Sequence, residues 1–105
     1  MHIRIELWMW LGGEPGGGFQ ALSEMRSFRE MDLEEGLTVI QLLDRLAAQN
    51  PLIEEKIFQR KSKKLFPNMS VVVTHAGLAV SPFDPEKTEI KDGYKITVLP
   101  LYAGG

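Results

Sequence analysis

Gly104 and Gly105 close the sequence, directly after the run Tyr94-Lys95-Ile96-Thr97-Val98-Leu99-Pro100-Leu101-Tyr102-Ala103. Glycines add no side chain to a core, and ordering them costs more backbone entropy than ordering any other residue. What a terminal pair offers is a slim thread ending in a carboxylate. Taken as a free, flexible end, residues 100–105 reach roughly 20 Å beyond a folded body at about 3.3 Å per extended residue. Such a thread fits an active site on another protein that is too narrow for any Cβ. The chemistry on offer is that of a carboxyl group at Gly105, delivered by Gly104. A frayed end or a cloning scar would also read Gly-Gly. Here, however, the pair follows Asp92-Gly93, alternating apolar residues and Pro100, with no linker between.

Other residues with chemical potential are less organised. Five glycines and a proline crowd residues 12–18. A phosphate cradle needs a glycine loop that opens a helix, usually with a lysine, and this loop leads to a second strand and lacks a Lys-Ser/Thr pair. It reads as a hairpin linker. His2 and His75 are the two histidines, and neither has further ligands at metal-site spacing, so no metal site is expected. No Ser-His-Asp arrangement stands out. Lys56, Arg60, Lys61, Lys63 and Lys64 form a basic run. It reads first as a solvated face and second as a docking patch for an acidic partner, with Phe58 and Phe66 anchoring its ends to the core. Leu99, Leu101 and Tyr102 cluster at the end of the last strand, where exposed apolar residues are candidates for a protein interface.

Composition narrows the classes. The chain has 105 residues, 44% hydrophobic and 25% charged, with a net charge of -2. That is one globular domain spanning 1–105, with no bulk electrostatic affinity for nucleic acid. The absence of cysteine excludes a disulfide framework, thiolate catalysis and Cys-ligated zinc. The first residues carry charge at alternate positions, which is no signal peptide, and no run approaches a membrane span. The expected location is the cytoplasm.

The elements that must position the ending are legible. Ile3, Ile5, Leu7 and Met9 alternate with His2, Arg4, Glu6 and Trp8, the period of a half-buried strand. A weaker alternation predicts a second strand around residues 27–33, paired with the first. Thr38 and Gln41 have capping-box spacing, Leu37 and Leu42 form a hydrophobic staple, and Val39, Leu42, Leu43 and Leu46 mark one helical face. Asn50-Pro51 ends that helix, and residues 52–58 make a shorter turn or helix. Residues 69–75 read as a strand, Ala76-Gly77 as a turn, 78–80 as a short strand, and 94–99 as the last strand. Ile96 and Val98 share one face of that strand, Thr97 and Leu99 the other. The order predicts a two-layer α+β fold: a mixed sheet of four to five strands on one main helix, the last strand lying parallel beside the first.

The stretch Lys91-Asp-Gly-Tyr-Lys-Ile-Thr-Val-Leu-Pro-Leu-Tyr-Ala-Gly-Gly105 resembles the C-terminal signature of the MoaD and ThiS sulfur carriers, ubiquitin-like β-grasp proteins. The helix from Thr38, the strand at residues 70–75 and the turn to 78–80 share in the likeness. The Leu-Pro-x-x-Ala-Gly-Gly form is closer to MoaD, the small subunit of molybdopterin synthase. The chain departs from the compact pattern in its long first hairpin and in an extended 56–66 segment.

The resemblance implies a mechanism. A MoeB- or ThiF-like activating enzyme uses ATP to adenylate the Gly105 carboxylate, and a sulfur donor converts it to a thiocarboxylate. The tail then enters the MoaE-like large subunit, which acts on the pterin precursor. Gly104 gives slim access, while Leu99, Leu101, Tyr102 and Ala103 dock the tail. The carrier itself binds no cofactor and is not a complete enzyme. The residues leave open a ThiS-like carrier for thiazole synthesis or tRNA thiolation, a ubiquitin-like modifier, and an interaction subunit that is never activated.

Overall fold

The computed structural model describes residues 1–9, 18–58, 65 and 67–100. Within them the chain runs β1 (His2–Leu7), β2 (Gln20–Ser23), β3 (Arg26–Asp32), α1 (Val39–Gln49), α2 (Pro51–Ile57), β4 (Met69–His75), β5 (Leu78–Ala79) and β6 (Tyr94–Pro100). The six strands form one mixed sheet in the order β2-β3-β1-β6-β4-β5. β6 lies parallel to β1, and Ile5 stands beside Ile96. The other neighbours are antiparallel. The α+β expectation holds, and so does the parallel pairing of first and last strands.

One face of the sheet is packed and the other is open. Ile3, Ile5 and Leu7 of β1 join Ile96 and Val98 of β6 and Val73 of β4 in the core. Against them α1 buries Val39, Leu42, Leu43, Leu46 and Ala47. The helix begins as its sequence dictates: Thr38 accepts from the Gln41 backbone N–H, and the Gln41 side chain accepts from the Thr38 N–H. Leu37 packs against the core, as the staple requires. Asn50 caps both helices, closing α1 and accepting the Leu52 N–H at the start of α2, where Pro51 takes the first position. The β4–β5 hairpin turns on Ala76 and Gly77, with φ of 53° and 81°. Two successive left-handed residues match the twist of the flanking strands.

The sheet has six strands among the described residues where four to five were expected, while the shorter turn or helix expected over 52–58 forms as α2. The added strand is β2. All four of its residues are exposed, so no burial alternation marks it. β3 begins at Arg26, and Leu33 is buried just beyond its end. No helix among the described residues is long and apolar enough to cross a membrane.

Candidate functional site

β6 carries the C-terminal signature into the middle of the sheet. It pairs with β4 from His75↔Tyr94 to Met69↔Pro100, and with β1 from Arg4↔Lys95 to Leu7↔Val98. Ile96 and Val98 are fully buried beneath it. The base of the tail is thus held on both edges and on one face. Pro100, expected as the first tail residue, is the last residue of β6. Leu99 is half-buried on the face opposite Ile96 and Val98, beside Ser70, on the side expected for it. Leu101, Tyr102, Ala103, Gly104 and Gly105 lie outside the described residues.

Period 2 assigns the open face of the sheet to Arg4, Glu6 and Trp8 on β1 and its exit, Arg26 and Phe28 on β3, and Lys95, Thr97 and Leu99 on β6. Glu6 is nonetheless only 2% exposed. Four donors from three strands converge on its carboxylate. Arg26 Nη2 donates to Oε1 at 3.0 Å and Trp8 Nε1 to the same oxygen at 3.1 Å. Lys95 Nζ lies 3.1 Å and Arg4 Nε 3.2 Å from Oε2. Burial pushes the carboxyl pKa up, but the hydrogen bonds from Arg26, Trp8, Lys95 and Arg4 outweigh it and hold the group at about 2, against an ordinary 4.5. Two guanidinium groups also lie over aromatic rings: Arg4 over Phe28 at 4.1 Å, and Arg26 over Trp8 at 4.4 Å. Sequence alternation missed this cluster, because it places Glu6 on the solvent side. The available signal was the cation–carboxylate–aromatic series at alternate positions of one strand.

The remaining candidates fall elsewhere. His2 Nδ1 lies 3.0 Å from Asp32, and Nε2 lies 3.5 Å from Glu30. The hydrogen bond to Asp32 first, and then that to Glu30, raises the ring pKa above 6.5. His75 packs its ring 5.5 Å from that of Tyr94. No cluster of three metal-ligating side chains forms among the described residues. Of the basic run, Lys56 sits in the last turn of α2, while Arg60, Lys61, Lys63 and Lys64 lie outside the described residues. Phe58 is buried and bridges to Leu65 as an anchor should; Phe66 lies outside the described residues. So do residues 12–17 of the glycine loop.

A mixed sheet that grips a helix and carries its C-terminal strand at the centre defines a ubiquitin-like β-grasp protein. The chain belongs to the ThiS family of ubiquitin-like sulfur carriers: the family model matches residues 19–105. The fold is similar to that in a crystal structure of SAMP1 from Haloferax volcanii, with a TM-score of 0.62 and 20% identity over 100% of both chains. A second crystal structure, of H. volcanii small archaeal modifier protein 1, gives a TM-score of 0.62 at 20% identity over 96% of this chain and 98% of that one. The solution structure of the Haloferax volcanii HVO 2177 protein gives 0.53 at 20% identity, over 99% and 88%. No curated protein matches the chain in sequence.

Proposed function

We propose that this protein is a sulfur carrier for molybdopterin synthesis and that Gly105 bears the sulfur. The observation that carries this reading is the placement of β6. The strand leading to Gly104-Gly105 is fixed at the sheet centre, and its terminal residues follow Pro100 directly. Family membership supports the carrier role, and the Leu-Pro-x-x-Ala-Gly-Gly ending supports the MoaD-type pathway.

In the proposed sequence, a carboxylate oxygen of Gly105 attacks the α-phosphorus of ATP on a MoeB- or ThiF-like enzyme, and pyrophosphate leaves. Hydrosulfide, or an equivalent donor, then attacks the acyl carbon. AMP leaves with the bonding pair, and a thiocarboxylate remains. Residues 101–105 act as the thread into the partner site, and Leu99, Leu101, Tyr102 and Ala103 dock it there. A MoaE-like large subunit supplies the catalytic groups that pass the sulfur to the pterin precursor. The carrier binds no cofactor, and ATP belongs to the activating enzyme. We place this cycle in the cytoplasm.

The match to the ThiS family favours one second reading: a carrier whose sulfur goes to thiazole synthesis or tRNA thiolation. Both readings share the first step, which intact-mass analysis tests. Incubation with ATP, sulfide and the adenylating enzyme of the same organism should exchange one oxygen for one sulfur at Gly105. A chain lacking Gly105 should remain folded and unmodified. Full sulfur transfer by that shortened chain would refute both carrier readings. Supplying the loaded carrier to the molybdopterin synthase large subunit or to a thiazole synthase then separates them by which product appears.

A further inference from the structure

Glu6 draws more positive charge to the open face than its own burial demands. One cation neutralises one carboxylate. Here three cations, Arg4, Arg26 and Lys95, surround it; with Glu30, the cross-strand partner of Arg4, also counted against them, one positive charge is still in surplus. The protein as a whole carries -2, so the surplus is a local inversion of its field. The carboxylate is 2% exposed, whereas the side chains of Arg4, Arg26 and Lys95 remain 35%, 45% and 45% exposed. They are therefore tethered from below and open to a partner above. The aromatic rings under Arg4 and Arg26 restrict the guanidinium planes further, which lowers the entropy cost of using them in recognition.

The position of the cluster narrows the partner. β1 and β6 run parallel, so Trp8 leaves the sheet at the same end as Pro100; its backbone N–H donates to the Val98 carbonyl at 2.9 Å. Arg26, stacked on Trp8, stands at that tail-proximal end. Beside the cations lie the half-buried Leu99 and Val72, the latter 42% exposed. On the same face Glu30 stands opposite Arg4, and Asp32 lies at the far end opposite His2; both engage His2, which leaves Arg26 and Lys95 as the cations clear of acidic neighbours other than Glu6. A protein that receives the tail therefore meets a cationic margin around a small apolar strip.

We infer that Glu6 gathers Arg4, Arg26 and Lys95 into a docking patch for a carboxylate-bearing surface of the adenylating partner, beside the opening that takes the tail. This rests on the carrier reading and adds to it what selects the partner. Surface charges of this kind act on association and its salt dependence more than on the chemical step.

The test measures ATP–pyrophosphate exchange by the adenylating enzyme of the same organism as a function of carrier concentration. Arg26→Gln, Lys95→Gln and the double variant are compared with wild type at ionic strengths from about 0.05 to 0.4 M, across which screening changes strongly. Each glutamine removes one charge without placing a new one beside Glu6. The double variant should raise KM about tenfold, leave kcat unchanged and flatten the salt dependence. Lys91→Gln, at the opposite end of β6, should behave as wild type. Thermal unfolding establishes that each variant is folded. Should Arg26→Gln unfold, Lys95→Gln and the wild-type salt dependence decide the matter alone. An unchanged KM and salt slope in folded variants, with normal exchange in wild type, would overturn the patch and leave the carrier reading intact. No exchange with wild type would remove the carrier reading itself, and this inference with it. Salt-sensitive binding of a labelled single-stranded DNA that is lost in the double variant, with KM unchanged, would assign the patch to nucleic acid and overturn it as well.

Discussion

Glu6 shows how one residue can be buried from above by its neighbours. Its strand position points it at solvent, yet Arg4, Trp8, Arg26 and Lys95 close over it. Replacing it with glutamine leaves these donors facing a neutral amide. Glu6→Gln should cost about 1.5–3 kcal/mol at neutral pH, the range for hydrogen bonds to a charged group, and urea unfolding measures it. The pH dependence has a definite sign. The folded carboxyl titrates at about 2 and its ordinary value is 4.5, so the unfolded chain takes up the proton first as pH falls. The stabilisation is complete above 4.5 and is lost between 4.5 and about 2. Glu34, held to about 2 by Arg45, titrates in the same window, but that pair is exposed and occurs in both proteins. The excess loss of stability in wild type over Glu6→Gln between pH 4.5 and 2 therefore reports Glu6 alone. Equal losses would show that the carboxylate is not held by the cluster. Alternation in β1 located Glu6 on the correct face but not its burial. That burial depends on Arg26 and Lys95, which arrive from 20 and 89 positions further along the chain.

At the scale of elements, α1 is where sequence and structure agree most closely. Both halves of the capping box form, and the apolar residues spaced i, i+3, i+4, i+7 all face the sheet. Leu43 has no exposed surface. Leu43→Ala should therefore destabilise the fold by about 2–5 kcal/mol, the cost of lost transfer energy plus a cavity, as read by chemical denaturation. A loss well below that range would place Leu43 outside the sheet-facing stripe. β1, β4 and β6 were legible for the same reason: one buried face imprints period 2. β2 was not, because an edge strand with four exposed residues leaves no such imprint. The candidate site divides along the same line. The β6 face pattern, with Leu99 opposite Ile96 and Val98, followed from alternation. The cationic cluster needed three strands to be brought together before it existed.

At the scale of the molecule, the sheet order makes β6 the single link between two groups of strands among the described residues. β2, β3 and β1 lie on one side of it, and β4 and β5 on the other. A chain stopped after Gly93 should therefore fail to fold at all, rather than fold with a gap. Amide hydrogen exchange on that fragment should find no protected β1 or β4. Protection comparable with the full chain would mean that the two groups are held by the helices instead.

The central position of β6 also bears on synthesis at the ribosome. Residues 94–100 are made after every other described strand, and the two strand groups have no shared edge until they emerge. The folding decision is thus postponed until β6 has been made. A product terminated before β6 would display no assembled β1–β6 face. The strand that leads to residues 101–105 thus makes assembly of the whole sheet conditional on translation through residue 100.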